Sequence, residues 1–233
     1  MMQRWGADAI RFMTDASEYG EYYRQLTAEL LPYLPRNGHV CDAGCGLGYL
    51  AQEMSQYCAN VTAIDRSEAA TQAMKKRDLP QNMQVLCEDI FTLQEQFDAM
   101  VFCYFGRTDE ILSLAKKLCK GNILIVKREC AEHKFSIGEV THRRHTVEDT
   151  IHTLENLGVP YVRKQISLEM GQPFRNIDDA MTFFRLYNKS DREVELQEVS
   201  DRLISTENPE FPLYLPSQRN MELIVFSAKD LEG

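Results

Sequence analysis

The sequence predicts an α/β fold: a doubly wound, mostly parallel sheet with helices on both faces. Two observations carry this. Short apolar runs alternate with amphipathic segments over about 90 residues, which is the pattern of βαβ units. The first run also opens into Gly44-Cys45-Gly46-Leu47-Gly48, a loop with glycine at every second position that passes directly into a helical pattern. The strands expected in this core are 39–43, 60–64, 83–87, 99–104 and 122–127, with helices near 47–57, 67–76 and 108–118 between them. Such crossovers make the strands parallel, and chain sterics make them right-handed.

Residues 7–34 precede the core with helical patterning, which Pro32 and the turn Pro35-Arg36-Asn37-Gly38 close. After the fifth strand, 131–141 is polar and loop-like. An amphipathic helix follows over 147–157, stopped by Gly158 and Pro160. Residues 161–168 and 221–228 read as strands. The excursion between them carries helices near 177–187 and 194–204 and a proline-rich loop over 208–216. The expected organisation is a single domain over 1–233: a helical cap or lid (1–37), a core (38–170), a helical insertion before the last strand (171–219) and that last strand (220–230).

The 233 residues suffice for one large α/β domain, and 44% hydrophobic with 26% charged residues is ordinary for a globular chain. A formal charge of −9 disfavours a broad nucleic-acid surface, which needs clustered Lys and Arg. The longest apolar runs are too short to span a bilayer, and the N-terminus lacks the apolar stretch of a signal peptide. Seven cysteines, an odd number, suit reduced thiols, so a cytoplasmic location is expected.

The loop reads Asp42-x-Gly44-x-Gly46-x-Gly48. A dinucleotide-binding loop would place its third glycine at 49, where Tyr49 is too bulky for close helix–sheet packing. A P-loop would end in Gly-Lys-Ser/Thr, which is missing. Asp65 closes the second strand, where a carboxylate can accept hydrogen bonds from both hydroxyls of a ribose. The same side chain could cap the next helix, although Ser67 could equally take that role. Asp89 and Ile90 follow the third strand. A ligand bound at the carboxyl ends of the strands would meet all of these.

Taken together, Asp42-x-Gly44-x-Gly46-x-Gly48, Asp65, Asp89 and the fourth run ending in Cys103 and Tyr104 resemble the motifs of the class I S-adenosylmethionine (SAM)-dependent methyltransferases. The resemblance covers about residues 39–127. It implies a seven-stranded sheet with a reversed last strand, SAM as cofactor, and a cofactor site of Asp42, Gly44, Cys45, Gly46, Gly48, Asp65, Arg66, Asp89, Ile90 and Cys103. Asp89 would meet the adenine amino group, and Ile90 would pack on the ring. The N-terminal aromatics stand where many small-molecule methyltransferases carry a lid over SAM, and by the same resemblance Tyr19 joins the cofactor-binding residues.

A sulfonium is already a good leaving group, so the protein chiefly supplies proximity, alignment and exclusion of water. A base is needed only for an acceptor that starts protonated. Candidates are His142, His145 and Tyr104, with His133 and His152 in the same window; as a set the histidines read equally as solvated surface groups. A metal held by His142, His145 and Cys130 or Glu132 matches no standard zinc spacing, and none is expected. Cys103 follows Phe102 rather than a proline, which argues against a cytosine-type nucleophile. Arg175 and Arg185 could pair with an acidic acceptor or with acids of the chain. The expected function is methyl transfer from SAM to a small-molecule acceptor, by a monomer or homodimer with no nucleic-acid or membrane partner. A non-catalytic SAM-binding sensor or partner subunit is the alternative.

Overall fold

The computed structural model describes residues 5–128, 135–137 and 146–231. In chain order its helices are α1 (Ala7–Tyr19), α2 (Tyr22–Leu30), α3 (Tyr49–Met54), α4 (Glu68–Lys75), α5 (Thr108–Leu118), α6 (Val147–Asn156), α7 (Ile177–Tyr187) and α8 (Leu196–Ser200). The strands are β1 (His39–Ala43), β2 (Asn60–Ile64), β3 (Met83–Leu86), β4 (Phe97–Cys103), β5 (Cys119–Arg128), β6 (Val162–Glu169), β7 (Gln172–Phe174), β8 (Ile204–Ser205), β9 (Leu213–Leu215) and β10 (Gln218–Ser227). The described chain divides into two compact units. Of the described residues, the larger holds 23–128, 146–166 and 220–231, and the smaller 5–22, 135–137 and 167–219. Three of the boundaries between them fall inside α2, β6 and β10.

Seven strands form one sheet in the order β3-β2-β1-β4-β5-β10-β6. β1 through β5 pair in parallel, and β10 runs antiparallel to β5. The order reverses between β1 and β4, which opens a crevice at the carboxyl ends of these strands. β1 and β4 are buried nearly throughout because they lie mid-sheet with both faces covered. The core of this unit gathers Cys41, Ile64, Phe97, Phe102, Ile125 and Leu154 with their neighbours.

Helix ends follow local chemistry. Thr146 and Asp149 cap α6 reciprocally, the Asp149 N–H donating to Thr146 Oγ1 (3.2 Å) and the Thr146 N–H to Asp149 Oδ2 (2.8 Å). At its other end, Gly158 takes φ +68°, and the Val159 and Gly158 N–H groups donate to the carbonyls of Leu154 and Glu155 (3.0 Å each), as the Gly158–Pro160 stop signal predicts.

The smaller unit corrects two expectations. The 171–219 segment is not purely helical: β7, β9 and β8 form a three-stranded antiparallel sheet in that order. The second helix, expected over 194–204, shrinks to Leu196–Ser200. The unit's core is aromatic. Phe12 meets Phe174 and Phe183 edge-on at centroid distances of 6.2 and 5.1 Å, so this N-terminal aromatic is core packing.

Candidate functional site

The glycine loop leaves β1 beside β2. The Gly44 and Cys45 N–H groups both donate to the Ile64 carbonyl, at 2.9 and 3.0 Å. The Gly46 N–H donates to Asp65 Oδ2 (2.9 Å), and the Ser67 N–H to Asp65 Oδ1 (2.8 Å). Asp65 therefore ties the loop to the start of α4 while each oxygen keeps accepting capacity for a ligand hydroxyl. The cap of α4 is Ser67, whose side chain accepts from the Ala70 N–H (3.3 Å), so Asp65 is not spent on capping that helix.

Two glycines are required by geometry. Gly44 has φ +70°, and a β-carbon there would lie 2.3 Å from the Phe105 ring. Gly48 has φ +72°, and its β-carbon would lie 2.4 Å from Met74 Sδ. Both positions exclude larger residues through backbone conformation and through space. Phe105 thus brings the turn after β4 against the loop after β1.

Asp42 is the site's electrostatic anomaly. It is 2% exposed, and its Oδ2 has no hydrogen-bond partner among the described residues. Burial pushes its carboxyl up to about 7 and the Asp65 charge adds to the effect, while a hydrogen bond from the Ala51 backbone pulls the other way. A buried, unsatisfied acid is costly unless a donor or cation meets it. SAM is a cation with an ammonium and a sulfonium, so this donor set fits it. Cys45, in the loop itself, has its thiol pushed up by burial and by Asp42, which leaves it neutral and inert.

Other expected residues are placed as follows. Arg66 is exposed beside Asp65, and Cys103 is partly exposed at the end of β4. Asp89 is exposed, and its Oδ1 accepts the Phe91 N–H (3.1 Å) at the start of a 3-10 turn, the capping role of an acid at a strand end. Ile90 is 4% exposed and belongs to the core. Tyr19 stacks on Tyr214 (5.3 Å) and meets Phe211 edge-on (5.8 Å), all within the smaller unit. Arg175 makes the intramolecular choice, holding Asp15 through both of its terminal nitrogens (2.5 and 3.0 Å) and Glu210 at 3.2 Å. His152 pairs with Glu155 at 3.6 Å on an exposed helix face. His133, His142, His145, Cys130 and Glu132 lie outside the described residues.

Sequence reasoning missed the brace behind the loop. Arg77 donates from Nη2 to the Leu47 carbonyl (2.6 Å), and its guanidinium lies 3.7 Å above the Tyr49 ring. Tyr23 stacks against Tyr49, with centroids 5.8 Å apart. Tyr49, read only as an obstacle to a dinucleotide, is a packing partner. No sequence signal links residues 47 and 77.

A family profile described as a methyltransferase domain matches residues 34–180. The chain belongs to that family. It carries a class I SAM-dependent methyltransferase domain, with SAM as its cofactor. Over 104 aligned residues the chain is 31% identical to malonyl-[acyl-carrier protein] O-methyltransferase of Bacillus anthracis. That match spans 39% of this chain and 39% of the relative's length. The fold is similar to that of BH2331 from Bacillus halodurans (TM-score 0.56, 16% identity, 90% of this chain and 99% of that one). It is also similar to that of magnesium protoporphyrin IX methyltransferase from Synechocystis PCC 6803 with bound S-adenosylhomocysteine (TM-score 0.50, 15% identity, 96% and 89% covered). Among the described residues, no helix is long and apolar enough to cross a membrane.

Proposed function

We propose that the protein transfers the methyl group of SAM to a small-molecule acceptor. The reading is carried by a buried carboxylate, Asp42, whose Oδ2 has no hydrogen-bond partner among the described residues and which lies next to a glycine loop held by Asp65. SAM supplies an activated methyl group on a cationic sulfur. The chain's residues position it: Asp42 offers a buried negative charge, the loop backbone allows close approach, and Asp65 offers lone pairs to ribose hydroxyls. Asp89 and Arg66 complete the cofactor end, and the turn after β4 lies toward the acceptor. The net charge of −9 supports a small acceptor over a nucleic acid.

Titration calorimetry with SAM, S-adenosylhomocysteine and NAD tests the cofactor half of the proposal, with binding expected for the first two. Transfer of label from tritiated SAM into a metabolite pool tests the catalytic half. Binding of NAD alone, or of none of the three, would overturn the reading.

A further inference from the structure

At the carboxyl ends of β4 and β5 lies a group of side chains that the cofactor site does not use. Tyr104 takes φ +56°, the one positive φ outside glycine among the described residues. Such a conformation is sterically disfavoured for a tyrosine and persists where its surroundings hold it. Here the Tyr104 N–H donates to the Val126 carbonyl (2.9 Å), and the hydroxyl donates to Met221 Sδ (3.3 Å). The Arg128 guanidinium lies 5.2 Å from the Tyr104 ring centre. Met221 and Arg128 are opposite each other in the β10–β5 register, so phenol, thioether and guanidinium share one end of the sheet. Tyr104 is 41% exposed and Arg128 is exposed. The next residue, Phe105, lies against Gly44 of the cofactor loop.

From this arrangement we infer that Arg128 and Tyr104 form the acceptor subsite, and that the group they select is a carboxylate. The inference rests on the methyltransferase reading above. A guanidinium fork matches a carboxylate with two parallel hydrogen bonds, and the Tyr104 ring lies beside that fork. The strained turn holds Tyr104 at the strand end next to the cofactor loop. A carboxylate is already ionised near neutral pH, so no general base is required. In the balanced step, a carboxylate oxygen lone pair forms the new C–O bond as the methyl C–S bond breaks. The bonding pair stays on sulfur, no proton moves, and a cation and an anion become a neutral thioether and a neutral ester.

The test uses the full chain with tritiated SAM and a metabolite extract, followed by mild alkali. Methyl carboxylate esters release volatile methanol under these conditions, whereas ethers, methylamines and methyl phosphodiesters do not. Alkali-labile label is expected from the wild type. Arg128→Gln should lower that transfer by roughly tenfold to a hundredfold while leaving SAM affinity within about twofold. Arg128→Lys should restore part of the transfer. In the absence of SAM, titration with malonate should shift the Arg128 Nε–Hε NMR resonance saturably. Alkali-stable label, no transferred label, an Arg128→Gln variant as fast as wild type, or an unmoved resonance would each overturn the inference. Failure of the wild type to bind SAM would instead remove the reading beneath it.

Discussion

Asp42→Asn should make the stability of this protein less sensitive to pH while weakening its hold on SAM. The wild-type carboxyl is raised from 3.8 to about 7, chiefly by burial and secondarily by Asp65. Below the unfolded value both states are protonated, and the group costs nothing. As pH rises toward the folded value, the unfolded chain ionises freely and the folded chain does not, so stability falls. Between about pH 5 and about pH 8 the loss from this one group comes to about 2.5 kcal/mol, taking 1.36 kcal/mol per pKa unit. Urea unfolding without SAM, performed on both proteins across that range, isolates the effect as a difference, because the other titrating groups are shared. The wild type should lose about 2.5 kcal/mol relative to the variant on going from about pH 5 to about pH 8. In calorimetry, wild-type affinity for SAM should rise over the same range as Asp42 ionises, and the variant's should stay flat. A stability difference that does not change with pH would refute the claim that burial outweighs the one backbone hydrogen bond Asp42 receives.

Three further outcomes follow from the loop. Asp65→Ala removes the acceptor for the Gly46 and Ser67 N–H groups and should weaken SAM binding by about 1.5–3 kcal/mol, read by calorimetry. Gly48→Ala places a β-carbon at φ +72° against Met74, and should lower stability by about 1–3 kcal/mol in urea unfolding. Arg77→Met keeps most of the stem but loses the Leu47 bond and the Tyr49 contact; SAM affinity should fall by about 1–2 kcal/mol, with a smaller loss for Arg77→Lys.

The larger unit was readable where sequence and local physics coincide. β1, β2 and α5 fall where the apolar runs and their glycine and acidic boundaries place them, because buried parallel strands are apolar throughout and helix ends need caps. Asp42, Gly44, Gly46, Gly48 and Asp65 stood out for the same reason: a tight strand-to-helix turn admits few residues. What stayed hidden depends on distant partners. β7, β8 and β9 are two or three residues long, one of them contains Pro173, and each is defined only by its pairing: β7 with β9 about forty residues on, and β8 with β9 about ten residues on. The Arg77 brace and the stack of Tyr19 on Tyr214 are likewise tertiary contacts with no local pattern.

The placement of β10 bears on how the chain reaches its fold. Of the seven strands in the main sheet it is synthesised last, yet it sits between β5 and β6. Until β10 emerges, β5 has an open edge and β6 has no neighbour to pair with. The sheet of the larger unit therefore closes only after β10 has been made. Shortening the chain into β10 would strand β6 rather than trim an edge, so the last ten-residue strand governs whether the sheet forms as one body.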